Sequence, residues 1–163
     1  MVKLRSCYAF DIDGVVADVS KRLSLALSMS GGVKNNIFWE VFFDERLIEE
    51  LDTPRNVGVD LVKDRAGRGC IVVITGRPKR LRDVSIKEFI KFTGVRPALI
   101  LMRGNRDFRP SYIVKLKLID QVLRLGYEII EFHDDDLEVL KNVKRLYPFI
   151  RLYYHFNNKF KLL

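Results

Sequence analysis

The feature that most constrains this chain is an apolar segment ending in two carboxylates and a glycine, Tyr8-Ala9-Phe10-Asp11-Ile12-Asp13-Gly14. Side chains alternate along a strand, so Asp11 and Asp13 are predicted to point the same way. Gly14 lets the backbone turn sharply directly after them. Two neighbouring carboxylates repel each other unless a cation or a shared proton lies between them. The alternative interpretation is a strand that simply runs into an acidic turn.

Length and composition indicate a globular protein. The chain has 163 residues, of which 48% are hydrophobic, and we predict a single domain over 1–163. No apolar stretch approaches the ~20 residues that span a bilayer, and the N-terminus lacks a signal-peptide pattern, so we predict a cytoplasmic protein without a membrane partner. The net charge of +8 favours anionic partners, although a basic solvated surface explains it equally well.

The two cysteines have no metal-site or redox spacing. Cys7 and Cys70 each lie in an apolar, strand-like run, 63 positions apart. In a reducing compartment such residues are usually buried and unpaired. The sequence therefore predicts two free thiols.

Short β-rich runs alternate with helix-length amphipathic patterns in the later part of the chain. The runs are Ser6–Phe10, Cys70–Ile74, Ala98–Met102, Glu128–Phe132 and Ile150–Tyr154. Strands separated by helices form parallel sheets that are covered on both faces. We therefore predict an α/β fold, a doubly wound, Rossmann-like three-layer sandwich with about five parallel strands. Ligands of such sheets bind at the carboxyl ends of the strands.

One stretch does not follow this alternation. Residues 19–56 combine a helical pattern, a Gly31-Gly32 break and the aromatic segment Phe38-Trp39-Glu40-Val41-Phe42-Phe43. We predict a small helical cap insertion beside the strand ends. Ordinary core packing explains most of these aromatic residues individually.

A second strand ends in Thr75-Gly76-Arg77-Pro78. Thr75 could donate a hydrogen bond to a phosphoryl oxygen, and the turn amides could add more. Arg77 could bind a phosphate through two nitrogens, and Pro78 suits the first turn of a helix. The alternative is a plain strand-to-helix turn in which Thr75 only caps the helix.

A third apolar strand ends in an acidic run, His133-Asp134-Asp135-Asp136. Several hard oxygen ligands suit Mg²⁺ better than zinc. Acidic residues also favour a helix N-terminus, which is the alternative interpretation. The predicted sheet brings this strand end towards Asp11, so we favour a Mg²⁺ site, while His133 is interpreted as a structural residue.

Together these motifs resemble those of the haloacid dehalogenase superfamily of phosphotransferases. The resemblance implies that Asp11 is a nucleophile, that Asp13 is a general acid/base, and that Thr75 and Lys115 bind the transferred phosphoryl group. It also implies a Mg²⁺ site formed by Asp11, the backbone carbonyl of Asp13 and the acidic pair Asp134 and Asp135, of which either could be the direct ligand. The activity that it implies is phosphomonoester hydrolysis through an aspartyl-phosphate.

Within that superfamily, the phosphatase domains of polynucleotide kinase-phosphatases are the most similar. The resemblance implies a substrate site formed by Gly76, Arg77, Arg22 and Arg103, and a substrate that is a nucleic-acid 3′-phosphate, on DNA or RNA, or a nucleotide. A separate kinase or ligase partner would fit this assignment. Ser111 stands where many of those enzymes have an aspartate four residues before the lysine. Alternatives are a small-molecule 5′-nucleotidase or sugar phosphatase, and a non-catalytic module that binds phosphate ends.

Overall fold

A six-stranded sheet runs through the centre of the protein, of which a computed structural model describes residues 4–163. Its strand order is β5-β4-β1-β6-β7-β8, and only the last strand is antiparallel to its neighbour. A separate two-stranded sheet pairs β2 with β3. The strands are β1 Arg5–Phe10, β2 Ala17–Asp18, β3 Thr53–Pro54, β4 Cys70–Pro78, β5 Leu99–Arg103, β6 Tyr127–Asp134, β7 Arg151–Phe156 and β8 Lys159–Leu162.

Helices cover both faces of this sheet and bury its apolar side chains. On one face α6 and α7 pack in a core with Ala9, Val72 and Phe132, and on the other α4 and α5 pack with Phe10 and Val73. The helices are α1 Ser20–Met29, α2 Asn36–Phe42, α3 Glu45–Leu51, α4 Asn56–Ala66, α5 Arg82–Thr93, α6 Ser111–Arg124 and α7 Leu137–Leu146. The predicted α/β sandwich is confirmed. Within residues 4–163, no helix combines the length and the apolar character needed to cross a lipid bilayer.

The segment predicted to form a cap contains three helices. Helices α1, α2 and α3 lie between β2 and β3, whose antiparallel pairing brings the two ends of the insertion together. Phe38 is buried, and its ring stacks on that of Phe42 at a centroid distance of 5.4 Å. Trp39 and Phe43 stack at 5.4 Å, although Trp39 is exposed. The aromatic residues thus form a cluster of contacting rings, of which Phe43 also packs against the main core.

Parallel pairing aligns the carboxyl ends of the strands that carry the motifs. Phe10 pairs with Val73 on one side and with His133 on the other. The Asp11 amide extends this ladder, donating to the His133 carbonyl over 3.0 Å. Thr75 lies opposite Met102 of β5. The ends of β1, β4, β5 and β6 therefore meet at one edge of the sheet.

The same register places the two cysteines side by side. Cys7 and Cys70 are paired residues of β1 and β4, with Cα atoms 4.5 Å apart, and they form a disulfide. The prediction of free thiols is therefore wrong. It considered each cysteine in its own strand, whereas the pairing of the two strands decides that the sulfur atoms meet.

The C-terminal strand β8 was not predicted, because its residues are exposed and lack a buried run. It pairs with β7 across a turn in which Asn157 has a φ of 50°. Arg55 fastens this hairpin to the rest of the fold, donating to the backbone carbonyls of Asn157, Lys159 and Val15. The hairpin is thereby joined to the loop that follows Asp13.

A buried polar chain continues from this arginine beneath the strand ends. Arg55 Nη1 lies 2.7 Å from His155 Nδ1, and His155 Nε2 lies 2.9 Å from His133 Nδ1. The other ring nitrogen of His133 lies 3.0 Å from Glu131 Oε2, and Arg65 donates to the same carboxylate. His133 is thus a fully buried residue of the fold, which agrees with its structural interpretation.

We predict that Gly58→Ala destabilises the protein. A Cβ at Gly58 would overlap the Val15 carbonyl, although alanine at a helical position normally stabilises. We expect the free energy of unfolding to fall by about 1–3 kcal/mol, measured by urea denaturation. Gly67→Ala is the control, because its φ is −74° and its new Cβ would make only ordinary contact. Equal stability of the two variants would contradict the close approach.

Candidate active site

The centre of the site is a lysine between two carboxylates. Lys115, in the second turn of α6, places Nζ 2.7 Å from Asp11 Oδ2 and 2.6 Å from Asp134 Oδ2. All three side chains are at most 5% exposed. The remaining oxygen of Asp11 accepts from the Ile12 amide, and that of Asp134 accepts from the Asp136 amide. Each carboxylate is therefore held in one orientation.

Burial and charge oppose one another in this group. Burial raises the pKa of Asp11 to about 7 against the attraction of Lys115, and the charge of Asp134 adds to the rise. For Lys115, burial alone would lower the pKa, but Asp11 and Asp134 outweigh it and raise the pKa above its ordinary value. The lysine stays charged and offsets only part of the negative charge around it.

A third carboxylate completes an acidic cluster. Ligand atoms of Asp11, Asp134 and Asp135 all lie within 4.8 Å of one another. Asp135 is exposed at the surface, and its side chain makes no hydrogen bond to a described residue. Partial loss of hydration by the carboxylate, together with the charge of Asp134, raises its pKa to about 8. Three oxygen donors this close, with uncompensated charge, fit a divalent cation such as Mg²⁺. The structure thus brings together three of the predicted metal residues.

Gly14 makes room for this cluster. Its φ is 77°, which favours glycine, and a Cβ there would overlap the Asp135 carboxylate. The turn after Asp13 closes tightly, because the amides of Val15, Val16 and Ala17 all donate to the Ile12 carbonyl. A glycine is therefore required where the first and last acidic motifs approach each other.

The Thr75 motif lies at the same edge of the sheet. Thr75 is buried, and its hydroxyl accepts a hydrogen bond from the Arg77 amide over 3.1 Å. Gly76 accepts from Arg103 Nε through its carbonyl, over 2.8 Å. Arg103 also donates to the carbonyls of Asp107 and Arg109. In this structure Arg103, expected to contact substrate, holds the loop between β5 and α6 against the Thr75 turn.

Arg22 and Arg77 are placed differently from the predicted substrate contacts. Both side chains are 0% exposed, and both donate to Asp13 Oδ1, Arg22 over 2.9 Å and Arg77 over 2.6 Å. Burial alone would raise the pKa of Asp13, but Arg77 and Arg22 outweigh it and lower the pKa well below its ordinary value. The two arginines thus hold Asp13 ionised and fix its position. Asp11 and Asp13 are neighbours in sequence but have different cationic partners.

Three further residues complete this network and were not predicted from the sequence. Asp52, at the end of α3, accepts from both arginines, and Ser85 and Glu88 on α5 accept from Arg77. Burial raises the pKa of Glu88 to about 8 against the attraction of Arg77, and Asp52 adds to the rise. A protonated Glu88 leaves two carboxylates facing two guanidinium groups. The only sequence signal for these three residues was the turn-like segment Asp52-Thr53-Pro54.

The comparisons with known proteins bear on the fold. No protein-family model and no curated protein matches the chain. Among solved structures, it is similar to a chain of the Pnkp1/Rnl/Hen1 complex, with a TM-score of 0.69 and 17% identity over 94% of this chain, and a structure of the Pnkp1/Rnl/Hen1 RNA repair complex gives a TM-score of 0.66 and 18% identity. It spans about half of that chain, 47%.

Two further structures are similar over most of their own length. One is a haloacid dehalogenase-like hydrolase family protein from Streptococcus pneumoniae, SP0104, with a TM-score of 0.65 and 13% identity over 91% of this chain and 83% of that one. The chain has a haloacid dehalogenase-like fold. The other is a candidate phosphatase from Clostridium difficile, with a TM-score of 0.62 and 14% identity over 93% of this chain and 85% of that one.

We predict that Arg77→Gln strongly destabilises the protein. The variant leaves the buried Asp52 and the partly buried Asp13 with one guanidinium fewer, and breaking a buried pair costs about 3–5 kcal/mol. Arg124→Gln is the control, because the Arg124–Asp120 pair is exposed and worth about 0–1 kcal/mol. Urea denaturation measures both. A loss no larger than that of the control would show that the network does not hold this part of the fold.

We predict that metal-free protein loses stability as the pH rises from about 6.5 to about 8, a range above the ordinary pKa of histidine, in which the buried His133 and His155, whose pKa values are lowered, no longer change the stability. The pKa values of Asp11 and Asp135 are raised to about 7 and about 8, so the folded state holds protons that the unfolded chain has released in this range. The melting temperature in a chelator should therefore fall with pH, and Mg²⁺ should restore it most at the alkaline end. Mg²⁺ at a hundredfold its Kd would add about 2.7 kcal/mol. Identical pH profiles with and without Mg²⁺ would argue against a cation at the cluster.

Proposed function

We propose that this protein is a Mg²⁺-dependent phosphomonoester hydrolase that acts through an aspartyl-phosphate intermediate. The observation that carries the proposal is the cluster of Asp11, Asp134 and Asp135 around Lys115 Nζ at the carboxyl edge of the sheet. Such a group binds a phosphate dianion only if positive charge is added beside its carboxylates. The haloacid dehalogenase-like fold is consistent with this chemistry, because its phosphatases carry acidic motifs at the same strand ends.

Asp11 is the proposed nucleophile. Its carboxylate oxygen attacks phosphorus, a new P–O bond forms, and the bond to the leaving oxygen breaks. The Lys115 ammonium and the Ile12 amide hold this carboxylate in place before reaction. Asp11, Asp134, Asp135 and the backbone carbonyl of Asp13 would hold Mg²⁺, which when bound screens the repulsion between Asp11 and the phosphate.

Asp13 is the proposed general acid/base. It gives a proton to the leaving alkoxide and takes one from the water that hydrolyses the aspartyl-phosphate. The arginine pair keeps it ionised in the free protein, which suits the second step. A phosphate dianion beside it raises its pKa, because a like charge disfavours the ionised form, and this suits the first step.

Lys115 and Thr75 are the proposed stabilisers of the phosphoryl oxygens. Lys115 offers the only ammonium group bonded to both Asp11 and Asp134 among the described residues. Thr75 lies in β4 just before the irregular part of that strand, and its hydroxyl oxygen accepts a hydrogen bond from the Arg77 amide, so its proton is free to point towards a bound oxygen. Donors fixed before the reaction stabilise developing charge without reorganisation.

The proposed substrate is a nucleic-acid 3′-phosphate end or a nucleotide. The basic balance of the chain and the exposed Lys79, Arg80 and Arg106 around the Thr75 motif support it. The similar chain of the Pnkp1/Rnl/Hen1 RNA repair complex gives further support, and a kinase or ligase partner is proposed on the same ground. The alternative, a small-molecule 5′-nucleotidase or sugar phosphatase, is favoured by the three-helix segment 20–51 beside the site.

We predict that Asp11→Asn abolishes hydrolysis. The amide is not a nucleophile, so kcat for a 3′-phosphorylated oligonucleotide should fall by ~10³-fold or more. A 3′-[³²P]phosphate substrate should label wild-type protein in an acid quench and leave the variant unlabelled. Asp120→Asn, an exposed acid-to-amide change on α6, is the matched control and should retain activity.

Other outcomes separate the alternatives. An Asp11→Asn variant with full activity excludes the covalent mechanism. Hydrolysis confined to sugar phosphates contradicts the nucleic-acid substrate while keeping the phosphatase assignment. Wild-type protein that binds 3′-phosphorylated oligonucleotide with Mg²⁺ but does not hydrolyse it indicates the non-catalytic binding module.

A further inference from the structure

The loop of residues 104–110 carries the most exposed apolar side chain of the part of the chain that the structure describes. Phe108 is 89% exposed, and it lies between Arg106 and Arg109, which are also exposed. The remaining side chains of this size are less exposed. The exposed ring thus presents a flat apolar face directly beside positive charge, a combination that suits a planar ligand carrying negative charge.

The loop lies directly beside the catalytic centre proposed above. It begins after Arg103, at the end of β5, and it leads into α6, which bears Lys115. Arg103 bonds it to the Gly76 carbonyl, next to Thr75. Any molecule on this loop therefore extends from the phosphate site.

Hydrogen bonds hold the loop in one conformation. Arg103 donates to the carbonyls of Asp107 and Arg109, and the Asp107 amide donates to the Gly104 carbonyl. Asn105 accepts from the Arg80 amide over 2.8 Å. The exposed ring is thus presented on a fixed support, which lowers the entropic cost of binding.

The basic side chains around the loop have free hydrogen-bond donors that could bind an anionic ligand. Within residues 4–163, Arg106 forms no salt bridge, and Lys79 forms none either. The Arg80 guanidinium makes one hydrogen bond, to the Phe43 carbonyl of the cap segment, and keeps other donors free. The charge of Arg109 is partly neutralised, because its guanidinium donates two hydrogen bonds to the Asp107 carboxylate.

We propose that this loop is a docking site for the single-stranded nucleotides next to the phosphorylated end, with a base stacked on Phe108 and backbone phosphates bound by Arg106 and Arg80. The inference rests on the proposed function and adds the subsite that would select nucleic acid. An aromatic face with flanking guanidinium groups is how proteins bind single strands without reading sequence, since every base has a π face. The position of the loop directly beside the proposed phosphate site favours a nucleic-acid strand over a peptide or a lipid surface.

The test compares an oligonucleotide with a small phosphomonoester. For Phe108→Ala, kcat/KM for a 3′-phosphorylated hexanucleotide should fall about tenfold relative to that for p-nitrophenyl phosphate, the loss expected of one base stack. Phe108→Trp should restore the ratio. Phe149→Ala is the matched control and should leave the ratio unchanged, because Phe149 is 62% exposed and precedes β7, which three strands separate from β5 in the sheet.

A second measurement isolates the phosphate contacts. The affinity of a fluorescent single-stranded oligonucleotide, read by anisotropy at several salt concentrations in a chelator, should weaken with Arg106→Gln, and the log–log salt slope should fall by about 0.7 for one lost phosphate. DNA and RNA versions of the same oligonucleotide identify the preferred sugar.

Each result either supports or overturns the docking site. An unchanged ratio in Phe108→Ala, or an unchanged salt slope in Arg106→Gln, overturns it. Wild-type protein that hydrolyses no phosphomonoester refutes the proposed function alone, because the anisotropy measurement still reports whether Phe108 and Arg106 bind single strands.

Discussion

The rest of this structure depends on one interaction, the ammonium group of Lys115 placed between Asp11 and Asp134. Buried carboxylates at adjacent strand ends repel one another, and a buried charge without a partner costs several kcal/mol. The lysine offsets this repulsion only in part, because Asp135 adds a third carboxylate within 4.8 Å. The strand ends are therefore held together, but part of the negative charge of the cluster remains uncompensated. This uncompensated negative charge makes the cluster a candidate cation site.

The carboxylate of Asp13 is compensated by a second, separate group of charges. Asp13 is two residues from Asp11, yet its charge is balanced by Arg22 and Arg77, which also pair with Asp52, while Glu88 accepts a hydrogen bond from Arg77. This network joins α1, α3 and α5 to the loop after β1. The segment that was predicted to form a cap is thus tied to the proposed general acid/base by buried ion pairs, and its position affects the charge of that carboxylate.

Much of this arrangement could be predicted from local patterns. The α/β architecture followed from the alternation of apolar runs with helical periodicity, and the strand ends of Asp11, Thr75 and Asp134 followed from where those runs stop. The geometry around Arg22, Arg77 and Arg103 could not be predicted in this way. An arginine near a phosphate motif is expected to face substrate, and only its surroundings show that its donors are already used by Asp13 or by backbone carbonyls.

The sequence by itself determined which residue types stand at the ends of the strands, because side-chain alternation and turn residues act over a few positions. Tertiary structure alone decided which of them meet. Asp52 and Glu88 bind Arg77 from 25 and 11 positions away, and Cys7 meets Cys70 because β1 and β4 pair in register. Such contacts depend on packing between segments that are distant in sequence. The interaction energy of each pair therefore exists only in the folded chain and cannot be inferred from local sequence patterns.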